Sequence, residues 1–296
     1  MKQTRAFRLL LAVFLMSFAA SGVAQQTNTA KHCLWEVENG TNKIYLFGTI
    51  HFSSSNFFPL PAVVEQAYAR SESIMFENDL DEQRSPAGRS HALALATYPP
   101  GDSLKNHLSS QVYSNVQAYL IAAGVKGSYL DSTKPIMATL ALLDYATKDL
   151  GFDMFQSVDR YFWDRARSEN KRLIPLESFN RTLEIVAGLN DSQQEYVVVQ
   201  TLREIAKTNH IIQDAASAWT RGETEKVDKL MLEALRQDPE IGKILLNERN
   251  KRWMPSIEAE IRRGEKLFIA VGLGHLLGKE SLVDLLSKRG FKVRQL

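Results

Sequence analysis

The sequence predicts an α/β fold: a mixed sheet flanked by helices, with a large helical insertion between the last strands. Three observations predict it. Short apolar runs with strand character recur at residues 34–37, 44–47, 73–76, 173–176 and 267–271. Longer stretches with helical spacing of apolar residues separate them. No low-complexity tract or linker divides the chain beyond its first residues.

The elements follow in order. Asn39-Gly40 stands between the first two strand-like runs and reads as a β-hairpin turn. Pro59 and Pro61 open a helix that extends to about Arg70, since proline is tolerated in a first helical turn. Helices are expected over 109–123, 132–150 and 157–169. Pro175 places the run at 173–176 at a strand end or a sheet edge. A long helical region spans 191–263, and Asp191 with Gln194 resembles a capping box at its start. Val227, Leu230, Met231, Ala234 and Leu235 repeat at helical spacing and read as core. Residues 267–271 form the strongest strand, 282–288 a helix and 291–293 a closing strand. The reading is a single domain over 25–296, with the helical insertion at about 179–264.

The first 24 residues have the layout of a secretory signal peptide. Lys2, Arg5 and Arg8 precede an apolar run from Leu9 to Ala20, and Gly22-Val23-Ala24 supplies small residues for cleavage. That run is too short for a comfortable membrane span. The expected location is therefore periplasmic or secreted, with no stable span after cleavage. The formal net charge of +2 becomes about −1 once the leader's three basic residues are removed. Such a balance argues against a nucleic-acid partner. Cys33 is the one cysteine, so no internal disulfide forms and stability must come from a core. Cys33 itself reads as a small apolar residue at a strand start.

The chemistry lies just beyond the strands. His51 follows Tyr45-Leu46-Phe47, Glu77 follows Ile74-Met75-Phe76 with Asp79 close behind, Glu177 follows Pro175-Leu176, and His275 follows Ile269-Ala270-Val271. Open α/β sheets gather catalytic groups at the carboxyl ends of their strands. Gly48 and Gly272 are expected to turn the backbone off the strand, and Gly274 to admit a ligand. Histidines and carboxylates can bind a divalent metal or work as a metal-free acid–base pair, and the spacing does not choose between them. There is no HExxH, CxxC or GxSxG. Taken singly, each of these groups would more often be a turn residue, a helix cap or a solvated carboxylate. His32, His91, His107 and His210 read as structural, His32 at the surface of an N-terminal arm.

The motifs resemble those of the TraB/GumN family. Gly48-Thr49-Ile50-His51 and Gly272-Leu273-Gly274-His275 are similar to its two GxxH motifs, Phe76-Glu77-Asn78-Asp79-Leu80 to its acidic strand end, and Leu176-Glu177-Ser178 to its LET motif. Arg249-Asn250 matches an RN pair, and Ser157-Val158-Asp159 resembles GVD with serine in the glycine position. The family includes the TIKI metalloproteases, and the resemblance implies a metal-dependent hydrolase of peptide or protein substrates. On that reading His51, His275, Glu177 and Glu77 hold a divalent metal (Mn, Co or Zn). A carboxylate left free, Glu177 or Glu77, is the general base, and Arg249 or Asn250 stabilises the oxyanion. Two alternatives stand beside it: a metal-free His/Glu ester hydrolase, and a non-enzymatic envelope protein that binds a peptide or polysaccharide. The oligomeric state is not legible.

Overall fold

The computed structural model describes residues 31–296 apart from 41, 149, 154, 155 and 208–210; the leader at 1–24 lies outside the described residues, as does His210. The elements run β1 (Leu34–Asn39), β2 (Asn42–Thr49), α1 (Ala62–Ala69), β3 (Ser73–Asn78), α2 (Leu80–Arg84), α3 (Pro86–Ala96), α4 (Ser110–Ala122), α5 (Pro135–Lys148), α6 (Val158–Ser168) and β4 (Arg172–Glu177). They continue α7 (Phe179–Ala187), α8 (Asp191–Lys207), α9 (Ile211–Thr220), α10 (Thr224–Met231), α11 (Glu233–Gln237), α12 (Pro239–Gly242), α13 (Glu248–Arg262), β5 (Leu267–Gly272), α14 (Leu282–Lys288) and β6 (Lys292–Gln295). A π-helical turn, Lys243–Asn247, joins α12 to α13. No helix among the described residues is long and apolar enough to cross a membrane.

The strands form one mixed sheet in the order β4-β3-β5-β2-β1-β6. The four strands β4, β3, β5 and β2 are mutually parallel, while β1 runs antiparallel to both β2 and β6. The hairpin turn falls at Gly40, whose φ of 61° suits glycine, between the paired residues Asn39 and Asn42. β4 pairs only with β3, so Pro175 sits on an edge strand, where a missing N–H is tolerated. β5 is central and buried along its whole length, as its unbroken apolar run requires.

Apolar residues build two cores. The larger packs both faces of the sheet, joining Phe47, Phe76 and Phe268 to Phe162 and Trp163 of α6, Trp219 of α9, and Trp253 and Ile257 of α13. The smaller lies away from the sheet, where Val112, Val116 and Leu120 of α4 meet Ala138 and Leu142 of α5 and Val198 of α8. The helices after β4 are thus divided. α8 joins helices inserted between β3 and β4, and α9 and α13 return to the sheet.

Three local expectations need correction. The capping box at α8 belongs to Asn190 and Gln193: Gln193 N donates to Asn190 Oδ1 at 2.9 Å, and Asn190 N to Gln193 Oε1 at 3.1 Å. Asp191 is thereby free to pair with His107, and Gln194 donates to the Leu189 carbonyl. The stripe that begins at Val227 is core in part: Val227 joins the larger core, but the helix breaks at Leu232 and Met231 is exposed. His32 is partly buried rather than at the surface. Cys33 is buried just before β1, donates to the Trp219 carbonyl, and has its thiol pushed up to about 12 by burial.

Candidate functional site

Parallel pairing brings the carboxyl ends of β2, β5, β3 and β4 to one edge of the sheet. His51 lies two residues past β2 and Glu77 is the penultimate residue of β3. Glu177 ends β4, and His275 stands in a 3-10 turn directly after β5. The four side chains named from the sequence are thus gathered at one edge. α13 adds Arg249 and Asn250 in its first turn, so all six candidate residues meet there.

Arg249 is the hub. Its Nε donates to Glu177 Oε1 at 2.7 Å, and Nη2 donates to Glu77 Oε1 at 2.6 Å and also to Glu177. Nη1 donates to the Leu245 carbonyl at 3.1 Å and lies 3.2 Å from His275 Nε2. The carbonyl of Leu245 belongs to the π-helical turn preceding α13. The second oxygen of Glu177 accepts from Trp253 Nε1 at 3.2 Å, and Thr182 Oγ1 donates to its first at 2.7 Å. Trp253 follows Arg249 by four residues, so it shares the same helix face. Its ring packs 4.4 Å from that of His275 and 4.8 Å from the guanidinium. Burial pushes the Glu77 carboxyl up, but the Arg249 charge, helped by the two histidines, outweighs burial and holds it well below the usual carboxylate range.

His275 is fixed by Asn250. Asn250 Nδ2 donates to the Glu280 carbonyl at 2.9 Å, which orients the amide and turns Oδ1 towards His275 Nδ1 at 2.7 Å. The proton of the imidazole therefore sits on Nδ1, leaving the lone pair on Nε2. Burial lowers the ring's pKa to about 3 against the opposing pull of Glu77, with the Arg249 charge adding to burial. His275 is thus neutral.

His51 is held differently. Its side chain is 65% exposed, and Nδ1 lies 3.6 Å from Asp159 Oδ2. Desolvation works against the charged ring, but the Asp159 and Glu77 carboxylates raise its pKa above the ordinary value. Solvent around so exposed a ring moderates that rise. His51 Nε2 and Glu77 Oε2 each lie 3.2 Å from the point a Cβ on Gly272 would occupy. Gly272 therefore lets these two groups approach its backbone more closely than a side chain would allow, and its N–H donates to Glu77 Oε2 at 3.1 Å.

The motif glycines act through close approach rather than through turns. Gly48, Gly272 and Gly274 are not among the residues with positive φ. A Cβ on Gly48 would meet Leu273 Cδ1 at 2.3 Å, and one on Gly274 would meet Leu232 and Leu246 side chains at 3.2 and 3.4 Å. The space expected to admit a ligand beside Gly274 is lined by these leucines. They border a cavity of about 590 Å³ between α10, the π-helical turn and Leu277.

Other polar groups near the strand ends serve the backbone. Asp79 caps α2 by accepting from Asp81 N and Glu82 N, and Ser178, not Glu177, caps α7. Asp159 and Trp253 are the site residues that the sequence reading did not claim. The GVD-like motif was the available signal for Asp159, and the helical spacing from Arg249 was the signal for Trp253.

A divalent ion can be tested against this donor set. Two imidazole Nε2 atoms and one carboxylate oxygen are the right donor types. Both Nδ1 atoms face outer partners, as metal-binding histidines require. Glu77 Oε2 lies 3.7 Å from His275 Nε2 and stands with His51 beside Gly272. As placed, however, no three His, Cys, Asp or Glu among the described residues close around one point, and Arg249 occupies the side towards Glu177. His51 and Glu77 approach the same side of Gly272, while His275 Nε2 is turned to Arg249 Nη1 and Glu177 is bound to the guanidinium, so the described residues do not close a three-ligand site.

Relatives match most of this chain at low identity. The "Uncharacterized protein YbaP" of Escherichia coli (strain K12) is 23% identical over 83% of this chain and 89% of its own. The "Metalloprotease TIKI homolog" of Nematostella vectensis is 22% identical over 96% of this chain and 74% of its own. The "Metalloprotease TIKI2" of Danio rerio is 22% identical over 84% of this chain, which spans 57% of that protein. No solved structure matches. The family model described as TraB/PrgY/gumN matches residues 33–295, nearly the whole described chain, and this protein belongs to that family.

Proposed function

We propose that this protein is an exported hydrolase of peptide bonds whose reacting groups are His51 and Glu77. The observation that carries the reading is the convergence of His51 Nε2 and Glu77 Oε2 on the bare Cα of Gly272, each 3.2 Å from the point a Cβ there would occupy. Glu77, kept ionised beside Arg249, supplies the anionic oxygen on that side of Gly272, and in a metal-free reaction that oxygen is the acceptor for a proton from water. His51, exposed and flanked by carboxylates, is suited to carry a proton towards a leaving group. The likeness to TIKI metalloproteases supports a peptide or protein substrate.

A divalent ion of the manganese, cobalt or zinc class would draw on His51 Nε2 and Glu77 Oε2, and on His275 Nε2 only once that atom gives up its bond from Arg249 Nη1. When bound, such an ion lowers the pKa of water and polarises a carbonyl. Around it, Asn250 keeps the His275 lone pair on Nε2, and Arg249 compensates Glu77 and Glu177. Every N–H of Arg249 already has an acceptor and both ends of the Asn250 amide are engaged. We therefore assign these two residues to positioning rather than to an oxyanion. Glu177, bound to Arg249, Trp253 and Thr182, is likewise a positioning group. One observation favours a second reading: the guanidinium beside His275 suits a metal-free His51–Glu77 pair acting on esters.

The test is elemental analysis of purified protein alongside digestion of peptide and ester libraries, with and without chelator. Near-stoichiometric metal and chelator-sensitive peptide cleavage, both lost in His51→Ala, are expected. Unimpaired ester turnover after complete chelation favours the second reading. Metal-replete protein that cleaves neither library overturns the hydrolase. Export is checked by N-terminal sequencing, which should begin near Gln25; intact Met1 on membrane-associated protein would defeat it.

A further inference from the structure

Asp159 is the third residue of a cap-and-turn sequence that starts α6. Ser157 Oγ accepts from Arg160 N at 3.3 Å, so serine caps this helix where the family motif has glycine. The departure from the motif costs the helix nothing and leaves Asp159 in the first turn. Its Oδ1 accepts from Thr49 Oγ1, the last residue of β2, at 2.6 Å. Its Oδ2 is buried and has no hydrogen-bond partner. The nearest polar atom described for it is His51 Nδ1, at 3.6 Å, a fraction of an ångström beyond hydrogen-bond range.

A buried carboxylate oxygen without a donor is costly, and the ring that could relieve it is the exposed member of the site. Thr49 is two residues from His51, so the strand end that carries the histidine also anchors the carboxylate. We propose that Asp159 is the positioning residue of His51: Oδ2 accepts a hydrogen bond from Nδ1–H, stops the ring turning, and aims Nε2 towards the Glu77 side of Gly272. Asp159 does for the first motif what Asn250 does for the second. The assignment rests on the proposed role of His51, but the bond itself is independent of any turnover.

The test is proton NMR of ¹⁵N-histidine-labelled protein, with His51→Ala used to assign the ring. A His51 Nδ1 proton that is shifted downfield and slow to exchange is expected in the unaltered protein. It should vanish in Asp159→Ala, weaken in Asp159→Asn, and broaden in Thr49→Val, which keeps the carboxylate but frees it from β2. Retention of an unchanged signal in Asp159→Ala, or its absence from the unaltered protein, overturns the proposal. Cobalt(II) titration adds a second arm. Loss of an outer partner of a metal-binding histidine should weaken affinity about 10–100-fold in Asp159→Asn. If the unaltered protein binds no cobalt while the proton signal behaves as expected, the metal reading fails and the Asp159 assignment stands.

Discussion

The two Gly-x-x-His motifs are alike in sequence and opposite in physical state. β2 and β5 are parallel neighbours, with Gly48 beside Val271 and Thr49 beside Gly272. Each glycine is required by the other motif: Gly48 makes room for Leu273, and Gly272 makes room for His51. Yet the His275 side chain is 4% exposed and its tautomer is set by Asn250, whereas that of His51 is 65% exposed and only approached by Asp159. One histidine is built into the core and the other stands at its mouth. A shared motif therefore specifies close approach at the strand end, and the neighbours decide what the imidazole can do.

The largest effect should come from Arg249→Met, which leaves Glu77 and Glu177 buried without their cation. Removing one partner of a buried ion cluster costs about 3–5 kcal/mol, to be read from urea unfolding at pH 7. The pH dependence gives a further check. Glu77 is held below its ordinary pKa in the folded chain, so its stabilisation is present above about pH 4.5, near the unfolded value, and is lost as pH falls below it. The variant should show a shallower loss of stability in that acidic window. A variant as stable as the parent would remove Arg249 from the centre of the fixed half.

Gly48→Ala comes next, at about 1–3 kcal/mol, because the new methyl meets the backbone of Leu273 as well as its side chain. Gly272→Ala meets only the tips of His51 and Glu77, so its cost should be smaller, under ~1 kcal/mol, while hydrolysis suffers. Equal destabilisation by the two substitutions would break the proposed division of labour between the glycines.

Asn250→Leu strips His275 Nδ1 and the Glu280 carbonyl of their partner, and should cost about 1–3 kcal/mol by calorimetry. The smallest effect on folding is expected for His51→Ala. Most of that ring faces solvent, so stability should change by no more than ~0.5 kcal/mol, even as turnover falls roughly 10²–10⁴-fold. A drop in stability matching that of Asn250→Leu would show that both histidines are structural.

Much of this comparison was legible before the fold. Strand ends in a parallel sheet must share an edge, so His51, Glu77, Glu177 and His275 could be grouped from the runs that precede them. Arg249 joined them only through the RN pair of the family resemblance, and as an oxyanion group rather than the hub, because a helix face carries no address for the strand end it will meet. Glu177 and Glu77 look equivalent as residues following apolar runs. Only the side of the guanidinium on which each falls separates a carboxylate set beside His51 at Gly272 from one sealed by Trp253 and Thr182.

The sequence by itself determined the local geometry: the hairpin at Gly40, the edge position of Pro175, the fully apolar β5, and the four polar groups ending parallel strands. Those features depend on φ preferences, missing donors and periodicity, all of which act within a few residues. Tertiary structure alone decided the rest. It took α8 from its neighbours in the chain and packed it on α4 and α5, it placed leucines rather than open space beside Gly274, and it exposed one histidine while burying the other. Burial, charge compensation and tautomer depend on groups up to two hundred residues apart (195 between Gly272 and Glu77), and such groups meet only when the chain has folded.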